Sequence, residues 1–243
     1  MYYENGQTKE EGDYIDNKRT GYWKAYFEDG ALKGDVDYKD DFGRYTEYYR
    51  DGKVFGEGPR MGARNVGHWR YFNSDATLQS EGDYENGAKS GEWTYYHGDG
   101  TVAAKGTYSK DEREGTWEFY HPDGKLSSTG SYKDDQKQGY WQTLDNNGLK
   151  KSEVTYEQGV GKFTEYHANG AVATTGNLLN EKREGTWKFY TDDGKLEGEC
   201  EYTDGHGVYK GYYANGSLRT KGEMEDDKKV ATWEIYETDG KLS

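Results

Sequence analysis

An aromatic residue recurs along this chain at Trp23, Tyr45, Trp69, Trp93, Trp117, Trp141, Phe163, Trp187, Tyr209 and Trp233, in steps of 22 or 24 residues. All seven tryptophans of the protein fall on that one position. A fixed period of this size marks a repeat architecture, in which one supersecondary unit stacks on copies of itself. Ten repeats of 22–24 residues run from Gly12 to the last residue, behind a half repeat over residues 1–11. The sequence therefore predicts one repeat domain over 1–243, with no interval left for a separate catalytic domain.

Two spacings within the unit never change. Nine residues beyond each central aromatic stands an apolar residue: Leu32, Val54, Leu78, Val102, Leu126, Val172, Leu196, Leu218 or Leu242, with Lys150 the exception. Six residues further on comes Tyr38, Tyr84, Tyr108, Tyr132, Tyr156 or Tyr202, replaced elsewhere by Arg60, Leu178 and Met224. Between the aromatic and the apolar position lie the turn signals "EDGA", "RDGK" and "PDGK", whose Asp-Gly supplies the positive φ of a tight hairpin or bulged turn. Only "SDAT" breaks the pattern, with Ala76 in the glycine place. After the turn, "KLSSTGSY" alternates with period two, as a half-exposed strand does. All length variation falls in the charged stretch that follows, which is two residues shorter before Tyr45, Phe163 and Tyr209. The unit reads as strand, tight turn, strand, longer loop. In "GTWEFY", Trp117 and Tyr120 have opposite parity, which predicts a bulge there or aromatic surface on both faces.

One correlation inside the repeat carries physical weight. Each tryptophan repeat has Gly four residues after the apolar position: Gly12, Gly58, Gly82, Gly106, Gly130, Gly176 and Gly222. The repeats with Tyr or Phe have Val36, Val154 and Cys200 there. Paired across the strands on one inner face, a full indole would take the room that the missing side chain leaves, and a smaller ring would meet a larger partner. Burial of one such ring removes about 150–250 Å², so the rings are expected to form the core.

Composition fits a thin structure with one buried face. Only 31% of the chain is hydrophobic, yet it holds 25 Tyr, 7 Trp and 7 Phe, too many rings for a disordered segment. A net charge of −14 argues against nucleic acid and anionic lipid as partners. No stretch approaches the roughly 20 apolar residues of a membrane span. The single cysteine, Cys200, excludes an internal disulfide framework and a cysteine-based zinc cluster. "MYYENGQTKE" has no signal-peptide core. Because Met1 lies inside a half repeat, an earlier start of the natural chain is conceivable and the compartment stays open.

Residues that invite a catalytic reading have simpler ones. His97, His121 and His167 share one repeat position, but repeats are two strands apart, about 9–10 Å, long for two imidazoles on one ion. Carboxylates in "KDDQKQ", "KDERE" and "EDDKK" alternate with basic residues as solvated charge does. Cys200 occupies the Gly/Val place, where a packed thiol is expected. No catalytic, cofactor or metal residue is assigned.

Gly-x-Tyr, a charged loop, Gly-x-Trp-x-x-Tyr and then Asn/Asp-Gly-x-Leu, clearest in "GDYENGAKSGEWTYYHGDGTV" (82–102) and "GTYSKDEREGTWEFYHPDGKL" (106–126), resembles the variant MORN repeat of bacterial proteins. The resemblance covers essentially the whole chain. It departs at Ala76, at Lys150, at Leu144 (where Tyr is usual) and in the three repeats without Trp. It implies an all-β fold, an elongated single-layer antiparallel array of about ten β-hairpin repeats, twisted and curved. It also implies a non-enzymatic scaffold that binds a protein partner through an extended aromatic-lined surface. Many relatives carry a YwqK-type antitoxin label, which implies neutralisation of a partner toxin. The chain also resembles, more weakly, choline- and glucan-binding cell-wall repeats, which implies glycan binding instead. The second ring position after the central aromatic is held by Tyr71, Tyr95, Phe119, Phe189 and Ile235, and by Glu47, Thr143 and Glu165 elsewhere. These five residues are the candidate partner-binding set. Exposed strand edges at the ends predict weak end-to-end self-association.

Overall fold

The computed structural model describes residues 1–225 and 228–243, so Asp226 and Asp227 of the "EDDKK" segment lie outside the described residues. The chain is all-β. In order the strands are β1 Glu10–Ile15, β2 Lys18–Tyr26, β3 Leu32–Lys39, β4 Phe42–Tyr48, β5 Val54–Met61, the two-residue β6 Arg64–Asn65, β7 Gly67–Phe72, β8 Leu78–Glu85, β9 Ala88–Tyr96, β10 Val102–Ser109 and β11 Glu112–Tyr120. There follow β12 Leu126–Lys133, β13 Gln136–Leu144, β14 Lys150–Glu157, β15 Val160–Tyr166, β16 Val172–Leu179, β17 Lys182–Tyr190, β18 Leu196–Thr203, β19 His206–Tyr212, β20 Leu218–Glu225 and β21 Lys228–Ile235. They form two compact units, one of Met1–Lys125 with Tyr132–Gln136, the other of Leu126–Ser131 with Lys137–Ser243. Within each unit the sheet is antiparallel and open, each strand pairing with its neighbour in the chain, as in β2–β3, β3–β4, β17–β18 and β18–β19.

The Asp-Gly turns take a single form. Gly30 N–H donates to Phe27 O and Phe27 N–H to Ala31 O, closing a three-residue loop with glycine in the left-handed region (φ 86°). The Asp29 carboxylate accepts from Ala31 N–H and fixes the bend. The aberrant turn keeps this geometry at the cost of Ala76 at φ 69°. The charged stretch expected as a longer loop is mostly strand. Its turn is only two residues, both with positive φ, as at Asp40–Asp41, Lys110–Asp111 and Asp134–Asp135, the signature of a type I′ hairpin.

The missing length is a bulge. Gly106 pairs with Trp117, but Thr107 pairs with Glu114, so Gly115 and Thr116 are extra residues on β11. The same slip occurs in β8–β9, β16–β17 and β20–β21. The shorter repeats pair without it: Val36 faces Tyr45, Val154 faces Phe163 and Cys200 faces Tyr209 in unbroken register. Two residues of chain length thus encode the presence or absence of a bulge. The second alternative read from "GTWEFY" also holds, because Tyr96, Tyr166 and Tyr212 donate from the opposite face to the carboxylates of Glu81, Glu153 and Glu199.

Inside the bulge the indole lies on the glycine. A Cβ built on Gly106 would stand 2.3 Å from Trp117, and one on Gly12, Gly58, Gly82, Gly130, Gly176 or Gly222 would meet its own tryptophan at 2.0–2.4 Å. The indole N–H donates to a backbone carbonyl ten residues earlier in Trp69 (Pro59 O, 2.9 Å), Trp93 (Asp83 O, 3.0 Å) and Trp187 (Asn177 O, 3.0 Å), whereas that of Trp233 donates to Val230 O at 3.1 Å. Trp69, Trp93 and Trp187 are each 1% exposed. Without the bulge the fit inverts. The Val36 and Cys200 side chains press towards Gly43 and Gly207, where an added Cβ would meet each of them at 2.6 Å. Leu178 and Met224, which replace the repeat tyrosine, pack with Trp187, Cys200 and Tyr202 in the core of the second unit.

Candidate aromatic surface

The second ring of each hairpin shares the tryptophan face, two residues further along its strand. In the first unit the register places Gly56, Tyr71, Ser80, Tyr95, Ala104 and Phe119 in one row across β5, β7, β8, β9, β10 and β11. Rings alternate with small residues along it. Tyr71 stacks on Trp69 (5.7 Å between centroids, 25°) and on Trp93 (6.3 Å, 26°). Tyr95 lies 6.2 Å from both Trp93 and Trp117, and Phe119 lies 6.1 Å from Trp117. Ser80 and Ala104, the small members of the row, are buried, whereas Tyr71, Tyr95 and Phe119 stay half-buried. The three expected residues are therefore brought together as the upper tier of a ring stack whose lower tier is fully buried.

Phe189 and Ile235 lie in the second unit, four strands apart on β17 and β21, with Gly211 in the corresponding place between them. Phe189 is half-buried and meets Tyr209 at 5.6 Å, while Ile235 is 57% exposed. They form no continuous row.

The upper tier is tied to the repeat tyrosines through its hydroxyls. The Tyr71 and Tyr84 hydroxyls lie 3.0 Å apart, as do those of Tyr95 and Tyr108. Burial and then the neighbouring tyrosine push the pKa of Tyr71 and Tyr95 upward, so both stay neutral hydrogen-bonding groups. Lys89 reaches over the tier, its Nζ 4.2 Å from the Trp93 ring centroid and donating to Tyr95 Oη at 2.9 Å. Desolvation lowers its pKa, against the pull of Asp111.

That lysine belongs to a set that the charged-loop reading missed. Arg19, Lys89, Arg113, Lys137, Arg183 and Lys229 each stand four residues before a tryptophan. Arg19, Lys89, Arg183 and Lys229 lie 4.1–4.2 Å over that indole and Lys137 5.4 Å over it, while Arg113 covers Tyr132 at 3.9 Å. These cations are roof over the rings, not only solvated charge. The sequence signal was available in the fixed offset; only Trp69 lacks it, with Asn65 there. Neighbouring turns are also stapled: Arg19, Lys89 and Arg113 N–H donate to Asp41, Asp111 and Asp135 Oδ1 of the next repeat.

His97 and His167 place Nε2 at 3.0 and 2.8 Å from the carbonyls of Tyr120 and Tyr190, the job done elsewhere by the hydroxyls of Tyr49 and Tyr213. Among the described residues no three His, Cys, Asp or Glu side chains are grouped to hold a metal. Cys200 is fully buried.

Where the second ring is absent, the same face of the first unit opens into a polar cavity of about 200 Å³. Ala25 and Glu47 take the ring places, and the walls include Lys9, Lys33, Arg60, Glu10 and Tyr45.

The sequence profile of the MORN repeat variant family matches residues 1–16, 19–40, 43–60, 89–110, 113–134, 183–204 and 205–226, more than half of the chain. No curated protein matches the sequence. Among solved structures, the chain is similar to TarM at 12% identity and TM-score 0.28, over 38% of this chain and 18% of that one. A mutant of S. aureus TarM in complex with fondaparinux, alpha-GlcNAc-glycerol and UDP gives 9% and 0.29, over 39% and 19%. A mutant Photorhabdus luminescens Tc holotoxin pore gives 12% and 0.18, over 100% and 15%. The chain spans less than a fifth of the length of each of these proteins, and at such TM-scores they carry no argument. The repeat phrase, its bulge and the family match agree: the chain belongs to the MORN repeat variant family.

Proposed function

We propose that this protein is a non-enzymatic scaffold that binds a protein partner along the row of Tyr71, Tyr95 and Phe119. The observation that carries this reading is the division of labour between two ring tiers. Six of the seven tryptophans, all but the half-buried Trp233, are buried on glycine and hold the sheet, while the second rings keep part of their surface in solvent. Rigid rings present large contact area at little entropic cost, the property that enriches Tyr and Trp in interfaces. Membership of a family whose members act as scaffolds and binding surfaces supports it further.

The test replaces Tyr71, Tyr95 and Phe119 together by Ser and compares capture of partners from the source proteome with the melting temperature. Binding lost with the fold retained supports the reading. Stability lost with binding reduced only by the unfolded fraction makes the rings core and overturns it.

A further inference from the structure

Successive rings of the row sit two strands apart, about 9.4–9.8 Å. An extended β segment laid across them turns alternate side chains the same way, about 6.6 Å apart, and misses the second ring. A polyproline II helix repeats every three residues with a rise of about 3.1 Å each, close to 9.3 Å per turn. Its register with Tyr71, Tyr95 and Phe119 therefore drifts by no more than about 1 Å over the row. Rigid ring-lined tracks are also the surfaces on which such helices dock, since the ligand arrives already ordered.

The polar cavity continues the row. Glu10, Ala25, Gly34, Glu47 and Gly56 precede Tyr71 in unbroken register across β1 to β5. Its charges do not balance internally. Glu10 is taken by Arg19 at 3.2 Å, and Lys33 stands 3.9 Å from Glu47. Lys9 makes no ion pair among the described residues. Arg60 donates to Asn65 Oδ1 and Ala63 O and lies 4.1 Å over the Tyr45 ring, without a carboxylate. In a protein of net charge −14, this end of the row is a local excess of cations.

We infer that the partner segment is a polyproline II helix with an apolar residue, proline above all, at every third position over the rings, and an acidic residue three to six positions beyond them in the cavity. The inference rests on the reading of the row as a protein-binding surface. It adds the conformation, the period and the charge of what binds.

The probe is a labelled peptide with proline at three successive third positions and glutamates three and six residues beyond, made in both chain directions and titrated against the 243-residue protein by fluorescence anisotropy. Saturable binding is expected. Moving the prolines to every second or fourth position is expected to weaken it about tenfold, as the loss of two ring contacts implies. Lys33→Glu, at a half-buried wall position whose side chain is 43% exposed and with the melting temperature measured alongside, is expected to weaken the glutamate peptide about two- to fivefold, the size of an exposed ion pair, and a lysine peptide to recover it. No binding, or binding indifferent to the proline spacing, overturns the inference. If an amphipathic helical peptide binds instead and loses affinity in Tyr95→Ser, the row remains a protein-binding surface and only the polyproline II assignment falls.

Discussion

Gly106 has Trp93 across one strand boundary and Trp117 across the other, so a side chain there has nowhere to go. Gly106→Val is expected to cost about 1–3 kcal/mol through overpacking, read as a shift in denaturant midpoint. Adding Trp117→Tyr recovers part of the loss; strictly additive losses would mean that the two residues do not interact. Lys89 shows the second residue-scale device. Lys89→Ala is expected to lose about 0.5–2 kcal/mol with the cation above the ring, and Lys89→Met, which keeps the stem on the rings, to lose less. Equal stability of all three proteins would remove the roof from the account. The third device is electrostatic. Hydrogen bonds from Lys150 and then from Tyr166 and Tyr140 hold the Glu153 pKa at about 2. A depressed carboxylate contributes stability that is present above its unfolded value of about 4.3 and fades as pH falls through the folded one. The difference in melting temperature between the protein and Glu153→Gln should therefore shrink between pH 5 and pH 2; a constant difference would deny the interaction.

At the scale of the strand and its turn, the pairing was legible because volume must be conserved on a face that both partners share. Gly106 with Trp117 and Val36 with Tyr45 could be matched without coordinates. The bulge was legible in the opposite parity of Trp117 and Tyr120 and in the difference in length, but its residues were not, since Gly115 at φ +68° and the regular Gly43 read alike in sequence. The type I′ turn at Lys110–Asp111 reads as part of a longer loop because charged residues hide a strand whose outer face is wet. Lys89 over Trp93 and the turn staple to Asp111 were missed for the same reason: charge in a surface strand looks solvated until its stem is seen lying on a ring. The row of Tyr71, Tyr95 and Phe119 was legible from period alone. Its polar continuation at Lys9, Lys33 and Arg60 was not, because those residues come from three different repeats. Bulge and pairing make one switch with two settings. Deleting Glu112 and Arg113 together with Gly106→Val and Trp117→Tyr should rewrite that repeat in the short form of Val36–Tyr45. That variant should recover more stability than the double substitution alone; equal or lower stability would mean that the bulge is independent of the ring.

Across the described residues each strand pairs with its neighbours in the chain, so stability is a sum of mainly local terms, with the Lys137–Glu181 ion pair at 2.8 Å reaching across one intervening repeat. Strand pairing in both units, the ring stack of Trp69 through Phe119 and the turn staples all have this nearest-neighbour character. The most direct measurement is the circular dichroism and thermal melt of a protein lacking residues 82–105, one entire repeat of the first unit. The account predicts an unchanged β spectrum per residue and a cooperative melt at a modestly lower temperature. An unfolded product would contradict it, since only a closed core shared by distant strands would fail on losing a single repeat.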